Sequence, residues 1–541
     1  MYYRGKRTVT VVMVFILLLS IFGVWGTAGG EGINDPRLAP YDPPITMTVG
    51  WDENSTVKYG EGESKTDNRW ITKYRNELGI NIEYAWYVPS EQYAEKVNVV
   101  IASGDIPDVM KVTPVQLAKL VDFDLVQEDL KPIFDEYVTP TQLLDYQNVG
   151  TAETFDAATY NGKLRAIPFA YSASGQGVNC MVLRRDWLDA VGMEAPKTFD
   201  ELMAIYDAWS DMDFDGNGVA DTVMFYADNT LNSLKRLASC FGAYPTFWLL
   251  RDGSLVYGSV VPEMKNALAK FNEMYAKGYL DPEFMVKDGG KAIELWTQNR
   301  CGSDVDLSAP WSGDKLIKSV EGSEIDCYPL PTATGSPARP MMTASGNDFY
   351  AISKSFTHPE AVVKMFCYQT EAFYGPDSSV AFYTEYCQDY DTGLSPFTWG
   401  PWFNVSVEKN YKTYKKFVNG EFDTLNPEQE WIWDTMVKYF EGGDLNQWAM
   451  ARFFDINKGG HYLVLDSTLA SGEYLLNGFY GAPLPSMVEY ITEVDRIFDE
   501  MATKIITGDA PIDDFEKYVD QMNRAGLEQI TVDVNEWYQN R

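Results

Sequence analysis

Histidine is nearly absent: His358 and His461 are the only two in 541 residues. That leaves little material for histidine-based acid–base catalysis or for histidine-rich zinc centres. Cationic residues are scarce too, 44 Lys and Arg against 78 Asp and Glu, for a net charge of −34. Such a surface repels a phosphate backbone, which excludes nucleic acid as a partner. The six cysteines, at 180, 240, 301, 327, 367 and 387, include no Cys-x-x-Cys pair, so no metal or redox motif is marked. Buried thiols are the expectation, with one or more disulfides the alternative in an exported chain. No G-x-S-x-G, H-E-x-x-H or phosphate-loop pattern occurs. A carboxylate pair for glycoside hydrolysis is no test here, because so many acids guarantee that some pair could be chosen.

Long hydrophobic runs are missing except at the N-terminus, where Arg4, Lys6 and Arg7 precede an apolar run from Val9 to Trp25 and then the small residues Gly26-Thr27-Ala28. This reads as a secretory signal over 1–28 with a small-x-small cleavage site. An uncleaved anchor is the alternative, since roughly 17 apolar residues sit at the lower limit for spanning a bilayer. No cysteine stands at the signal's end, which excludes lipid anchoring through an N-terminal Cys. Residues 29–44, rich in Gly and Pro, read as a flexible spacer.

What the chain does have is length, aromatic residues and an alternating grammar. A chain of 541 residues with 45% hydrophobic residues calls for at least two lobes. Fifteen Trp and 34 Tyr exceed what cores usually need, so some rings are expected to line a cleft. ITMTVGW (45–51), a helix around RWITKYRNELG ending at Gly79, and INIEYAWYV (80–88) form a β-α-β unit. A second such run starts at KLRAIPF and VNCMVLRRDWL and continues through helix TFDELMAIYDAWSDM and strand TVMFYA. Strands alternating with helices predict an α/β fold in two separate regions, each a mostly parallel sheet flanked by helices. The text from about 376 is helical and irregular, and Trp431, Trp433 and Trp448 within it read as core.

The stretch DMDFDGNGVAD places carboxylates or a carboxamide at Asp211, Asp213, Asp215, Asn217 and Asp221 around Gly216 and Gly218. Oxygen ligands at alternate positions of a tight Gly turn suit a hard cation such as calcium. Two registers compete, one starting at Asp211 and one at Asp213, and a plain Asx-rich turn after the preceding helix is the alternative. Neither register carries Glu at its twelfth position, where Thr222 and Met224 stand.

Several phrases in order, SGDIPDVM (103–110), YNGKLRAIPF (160–169), LRRDWLDAVGMEAPKTFDELM (183–203), DFDGNGVAD (213–221), GYLDPEF (278–284), FYAISKSFTHPEAVVKMF (349–366) and the C-terminal KIITGDAPIDDFEKYVDQMNRAGLEQITVDVNEWY (504–538), together resemble the extracellular solute-binding proteins of carbohydrate ABC transporters. Within them the resemblance is to the family 1 subgroup similar to the lipoprotein LplA. It implies a periplasmic-binding-protein-like fold of two lobes, with a cleft between them that closes on a sugar and hands it to membrane permease subunits. The N-terminal lobe would be 45–170 with 335–375, and the C-terminal lobe 171–334 with 376–541. The crossings would lie near Tyr171–Gly175 and Pro329–Thr334. The chain would be a non-enzymatic monomer at the cell surface or secreted; a secreted polysaccharide-processing enzyme is the rival. The loop then resembles a calcium loop in the Asp213 register, with Asp213, Asp215, Asn217, the Val219 carbonyl and Asp221 as ligands. Thr222 stands where a further carboxylate is usual. The missing lipid-modified Cys is a departure, so surface retention would need an uncleaved signal or a partner.

Sugar sites pair stacking rings with polar groups that reach hydroxyls. Trp311, in SAPWS, stands where related maltose-type binders place a stacking Trp. Trp51 ends the first strand, the edge where open α/β sheets bind ligands. Tyr171 sits at the first crossing, Trp399 and Trp402 lie between Pro and Gly, and Asn347 and Asp348 precede strand FYAIS. For each, packing or a solvated turn is the alternative. The aromatic content and length lean towards an oligosaccharide.

Overall fold

A computed structural model of the chain describes residues 33, 35–53, 59, 61–149, 155–168, 178–219, 221–306, 309–342, 348–375, 378–379, 415–416, 419–421, 425–456 and 458–540. Residues 1–28, Tyr171, Asn347, Trp399, Trp402 and Cys387 lie outside that set, as does the first expected crossing.

The β-α-β opening is present. Strand Ile45–Glu53 pairs in parallel with Ile80–Pro89 and Val109–Val112. The helical stretch between the first two ends at Leu78, with Gly79 in the left-handed conformation at φ 68°, which glycine adopts without a Cβ penalty. Five strands make the first sheet, in the order Ile80–Pro89, Ile45–Glu53, Val109–Val112, Phe349–Ile352, Ile167–Pro168. Met47, Val49 and Trp51 share its buried face, as the two-residue strand period requires. The helix Glu360–Tyr374 is almost wholly buried against this core.

The second core draws on Met181, Leu183, Trp187, Phe199, Tyr206 and Trp209, and is completed by Val494, Phe498, Met501 and Ile505 of the C-terminal helix Pro485–Thr507. Phe199–Trp209 starts at a Thr198/Glu201 capping box, which satisfies two N-terminal donors at once. Burying each large ring removes about 150–250 Å² from water, roughly 4–6 kcal/mol as an upper bound.

Sheet polarity corrects the expectation of mostly parallel sheets. Phe349–Ile352 is antiparallel to both of its neighbours. In the second sheet Cys180–Arg184 lies between Ser303–Asp306 and Ile325–Tyr328, antiparallel to both. TVMFYA, expected as a strand, forms none beyond one bridge from Val223 to Cys301. Its backbone is satisfied otherwise: Met224 and Phe225 donate to the Tyr279 carbonyl, and Tyr226 to that of Ser303. Buried backbone groups need partners, not a ladder as such.

Past Tyr328 the chain first stays beside the second half of the fold. Thr332 exchanges hydrogen bonds with Lys197 and Phe199, and Ala333 donates to Cys240. Met341–Met342 then pairs with Leu475–Leu476, and the chain enters the first sheet at Phe349. Trp448 is buried beside Leu316 and Ile325, while Trp431 and Trp433 are half-buried.

Candidate functional site

The strand ends of the first sheet gather a polar cluster. Trp51 and Asp52 close the first strand, Lys111 lies near the end of the third, and Asp348 immediately precedes the antiparallel strand that runs back beside it. Asp52 accepts a 2.7 Å hydrogen bond from Ser90 Oγ. The Tyr93 hydroxyl donates to the Lys111 carbonyl at 2.9 Å and accepts from its N–H at 3.0 Å. Burial pushes the Asp348 carboxyl above its ordinary value; Lys111 opposes the shift and the Asp52 charge adds to it. Two carboxylates and one ammonium thus share a half-buried edge, the place where open α/β sheets take ligands.

Trp51 is only 6% exposed and stacks on Tyr350, ring centroids 6.5 Å apart and 19° from parallel. It forms the floor of the edge, packed with the core. Trp311 lies in the first turn of the helix Ala309–Ser319, which follows Ser303–Asp306 at the same sheet end as Cys180 and Tyr328. Its side chain is outside the described set. Of the sequence candidates, Trp51 and Asp348 therefore meet at one edge.

Beyond Lys111 the chain turns at Thr113 into the helix Pro114–Asp122, and its first residues help line a cavity of about 220 Å³. Pro114, Val115 and Ala157 come from the first lobe, and Trp248, Tyr257, Phe479 and Tyr480 from the second. Trp248 and Tyr257 lie 5.1 Å apart and tilted, and the Tyr257 hydroxyl donates to Asp495. Desolvation raises the Asp495 carboxyl above its usual range. Asn477 Oδ1 accepts from the Trp248 and Phe479 N–H groups, which fixes the rim. A larger cavity, about 560 Å³, is lined by Lys318, Glu324, Asp326, Trp448 and Arg452, all from the second half of the chain. It lies at the opposite end of the second sheet, where Ile325 pairs with Arg184. The smaller cavity is the better cleft candidate because both halves of the fold line it.

Sequence reasoning missed Asp52, Lys111, Tyr93 and the Trp248, Tyr257, Phe479 and Tyr480 rings. The signal for Phe479-Tyr480 was available, a ring pair between Gly478 and Gly481; nothing in the text alone joins it to residue 115.

In the acidic loop, Asp213 accepts from the N–H groups of Gly216, Asn217 and Gly218 at 2.7–3.0 Å. These donors, Gly218 foremost, hold its carboxyl below the usual range. Asn217 Nδ2 reaches Asp215 at 3.0 Å and Asp221 at 3.2 Å, so three of the expected ligands converge. Gly216 and Gly218 have φ of 74° and 86°, the left-handed turns the loop needs. The donor set is all oxygen and fits a hard cation. Met224, at the twelfth position of the Asp213 register, is buried in the second core and supplies nothing.

Residues 69–419 match the family described as bacterial extracellular solute-binding protein. Among curated proteins, the chain is 24% identical to lipoprotein LipO of Bacillus subtilis (strain 168) over 85% of this chain and 87% of that one. It is 21% identical to the polygalacturonan/rhamnogalacturonan-binding protein YtcQ of the same organism over 97% and 98%. Among solved structures, alginate-binding protein AlgQ2 without calcium ion superposes with a TM-score of 0.65 at 16% identity, covering 93% of this chain and 99% of that one.

Proposed function

The chain belongs to the bacterial extracellular solute-binding proteins, and we propose that within this family it captures a carbohydrate, an oligosaccharide by its aromatic content, for delivery to the permease of an ABC importer. The observation that carries the reading is the pairing of a polar strand edge, Asp52, Lys111 and Asp348, with an aromatic cavity lined from both halves of the fold. Rings take the C–H faces of a sugar and the carboxylates its hydroxyls. Relatives whose names record binding of polygalacturonan, rhamnogalacturonan and alginate support the ligand class.

The two lobes, 45–170 with the segment entering at Phe349 and the remainder around the second core, close on the ligand by a hinge through the stretches that link the sheets. Trp311 stacks on the sugar, and Tyr171, Asn347, Trp399 and Trp402 are the further residues assigned to contact it by their sequence context. Calcium, held by Asp213, Asp215, Asn217, the Val219 carbonyl and Asp221, supplies a structural charge that ties the helix Phe199–Trp209 to the text that follows. Residues 1–28 direct export, and the protein acts as a monomer without catalysing a reaction. No described helix is long and apolar enough to cross a membrane.

A thermal-shift screen against a glycan panel tests the proposal, with mass analysis of each sugar after incubation. Unchanged sugar with a raised melting temperature supports capture; cleavage products would favour the secreted-enzyme reading instead. Trp311→Ala should weaken the best hit at least about tenfold, in line with the loss of one stacking ring. Full retained affinity would remove Trp311 from the site.

A further inference from the structure

Cys180, Cys327 and His461 are far apart in sequence and meet beneath the second sheet. Cys180 opens the strand Cys180–Arg184 and Cys327 lies in Ile325–Tyr328; the pairing Val182↔Cys327 puts the two thiols on one face of neighbouring strands. His461 opens the helix His461–Ser471, whose approach is fixed by the Cys327 N–H donating to the Gly459 carbonyl at 2.9 Å. The two sulfurs and an imidazole nitrogen all lie within 4.8 Å of one another, and Cys180 Sγ is 3.6 Å from His461 Nδ1. The three residues are 0%, 4% and 0% exposed. Neither cysteine is in a disulfide.

We propose that Cys180, Cys327 and His461 form a buried site for one thiophilic cation, zinc(II) in preference to copper(I). Bonds of about 2.3 Å to sulfur and 2.05 Å to nitrogen around a tetrahedral zinc separate the two ligand atoms by about 3.6 Å, the separation found. Two thiolates and a neutral imidazole around zinc(II) carry no net charge, whereas the same set around copper(I) leaves one negative charge in an apolar interior, which is costly. The His461 ring lies parallel to Phe453 at 4.9 Å, and its Nε2 has no hydrogen-bond partner among the described residues. A buried ring nitrogen without a partner is unusual, and a ring flip makes either nitrogen available to a metal. The site staples the helix His461–Ser471 to the sheet beside Val178 and Met342, which pack with Tyr462 and Leu465.

The test loads the full chain, purified with reductant, with zinc alone, and in a parallel anaerobic arm with copper(I) alone, followed by gel filtration and elemental analysis. One equivalent of zinc is expected, lost in Cys180→Ser and Cys327→Ser and kept in Cys240→Ser and Asp213→Ala. Copper(I) at one equivalent, lost in the same serine variants, would support the site and reverse the choice of metal. Cobalt(II) loading of the wild type should add a thiolate charge-transfer band, a readout that does not depend on how well the serine variants fold. The proposal is overturned by wild type that retains neither metal, by metal that survives both serine substitutions, or by a Cys180–Cys327 disulfide in the zinc-loaded protein.

Discussion

Arg300 Nη2 donates to Asp221 Oδ2 at 2.8 Å, and its Nε lies 3.8 Å from Asp215. A side chain 79 residues further along the chain therefore places a positive charge beside two of the carboxylates proposed for calcium. Arg300→Met removes that competing cation. Calcium affinity should tighten roughly two- to fivefold, the scale of one exposed ion pair, as read by calorimetric titration; weaker binding would mean that Arg300 organises the loop and does not compete for it.

Asp213 holds the turn through three backbone N–H groups. Calcium near a hundredfold its dissociation constant should raise the wild-type melting temperature by on the order of 2–5 °C. In Asp213→Ala the shift should vanish. A wild-type temperature that ignores calcium after chelation would reduce the loop to an Asx turn.

Asp348 is pushed above its ordinary carboxyl value by burial first, with Asp52 adding and Lys111 opposing. A raised folded-state value means that the folded protein favours the protonated form. Its contribution to stability is complete below the unfolded value and is lost as pH rises through the folded value. Asp348→Asn should therefore melt above wild type at about pH 7, with the gap closing towards about pH 4, while sugar affinity falls. Parallel melting curves of the two proteins across that range would contradict the assignment.

Gly50 sits at the irregularity between Val49 and Gly50 where the first two strands shift register, under the Trp86 ring. A Cβ there would lie 2.1 Å from Trp86 Cζ2. Gly50→Ala should cost about 1–3 kcal/mol in urea unfolding, and should disturb the neighbouring Trp51–Asp52 edge. An unchanged midpoint would show that Trp86 can move aside.

Much of the fold was legible because its signals are local. The period of two in ITMTVGW and the helix end at Gly79 each depend on residues within a turn or two, and each appears where the text put it. The convergence of the acidic loop was legible for the same reason: its proposed ligands are alternate neighbours, and the structure brings Asp215, Asn217 and Asp221 together. TVMFYA misled because an apolar β-branched run reads the same whether its backbone finds a ladder or isolated partners such as Tyr279 and Ser303.

By itself the sequence determined the α/β character, the acidic surface and the Asp/Asn–Gly pattern of the loop, all of which follow from composition and short-range spacing, and it carried the phrases on which the family resemblance rests. Tertiary structure alone decided that Trp51 packs on Tyr350, that Val115 and Tyr480 line one cavity, that Arg300 reaches Asp221, and that two scattered cysteines converge on one of only two histidines. The physical reason is range. Local propensities act over a few residues, whereas a site is set by which strands become neighbours, and that is settled by burial summed over the whole chain.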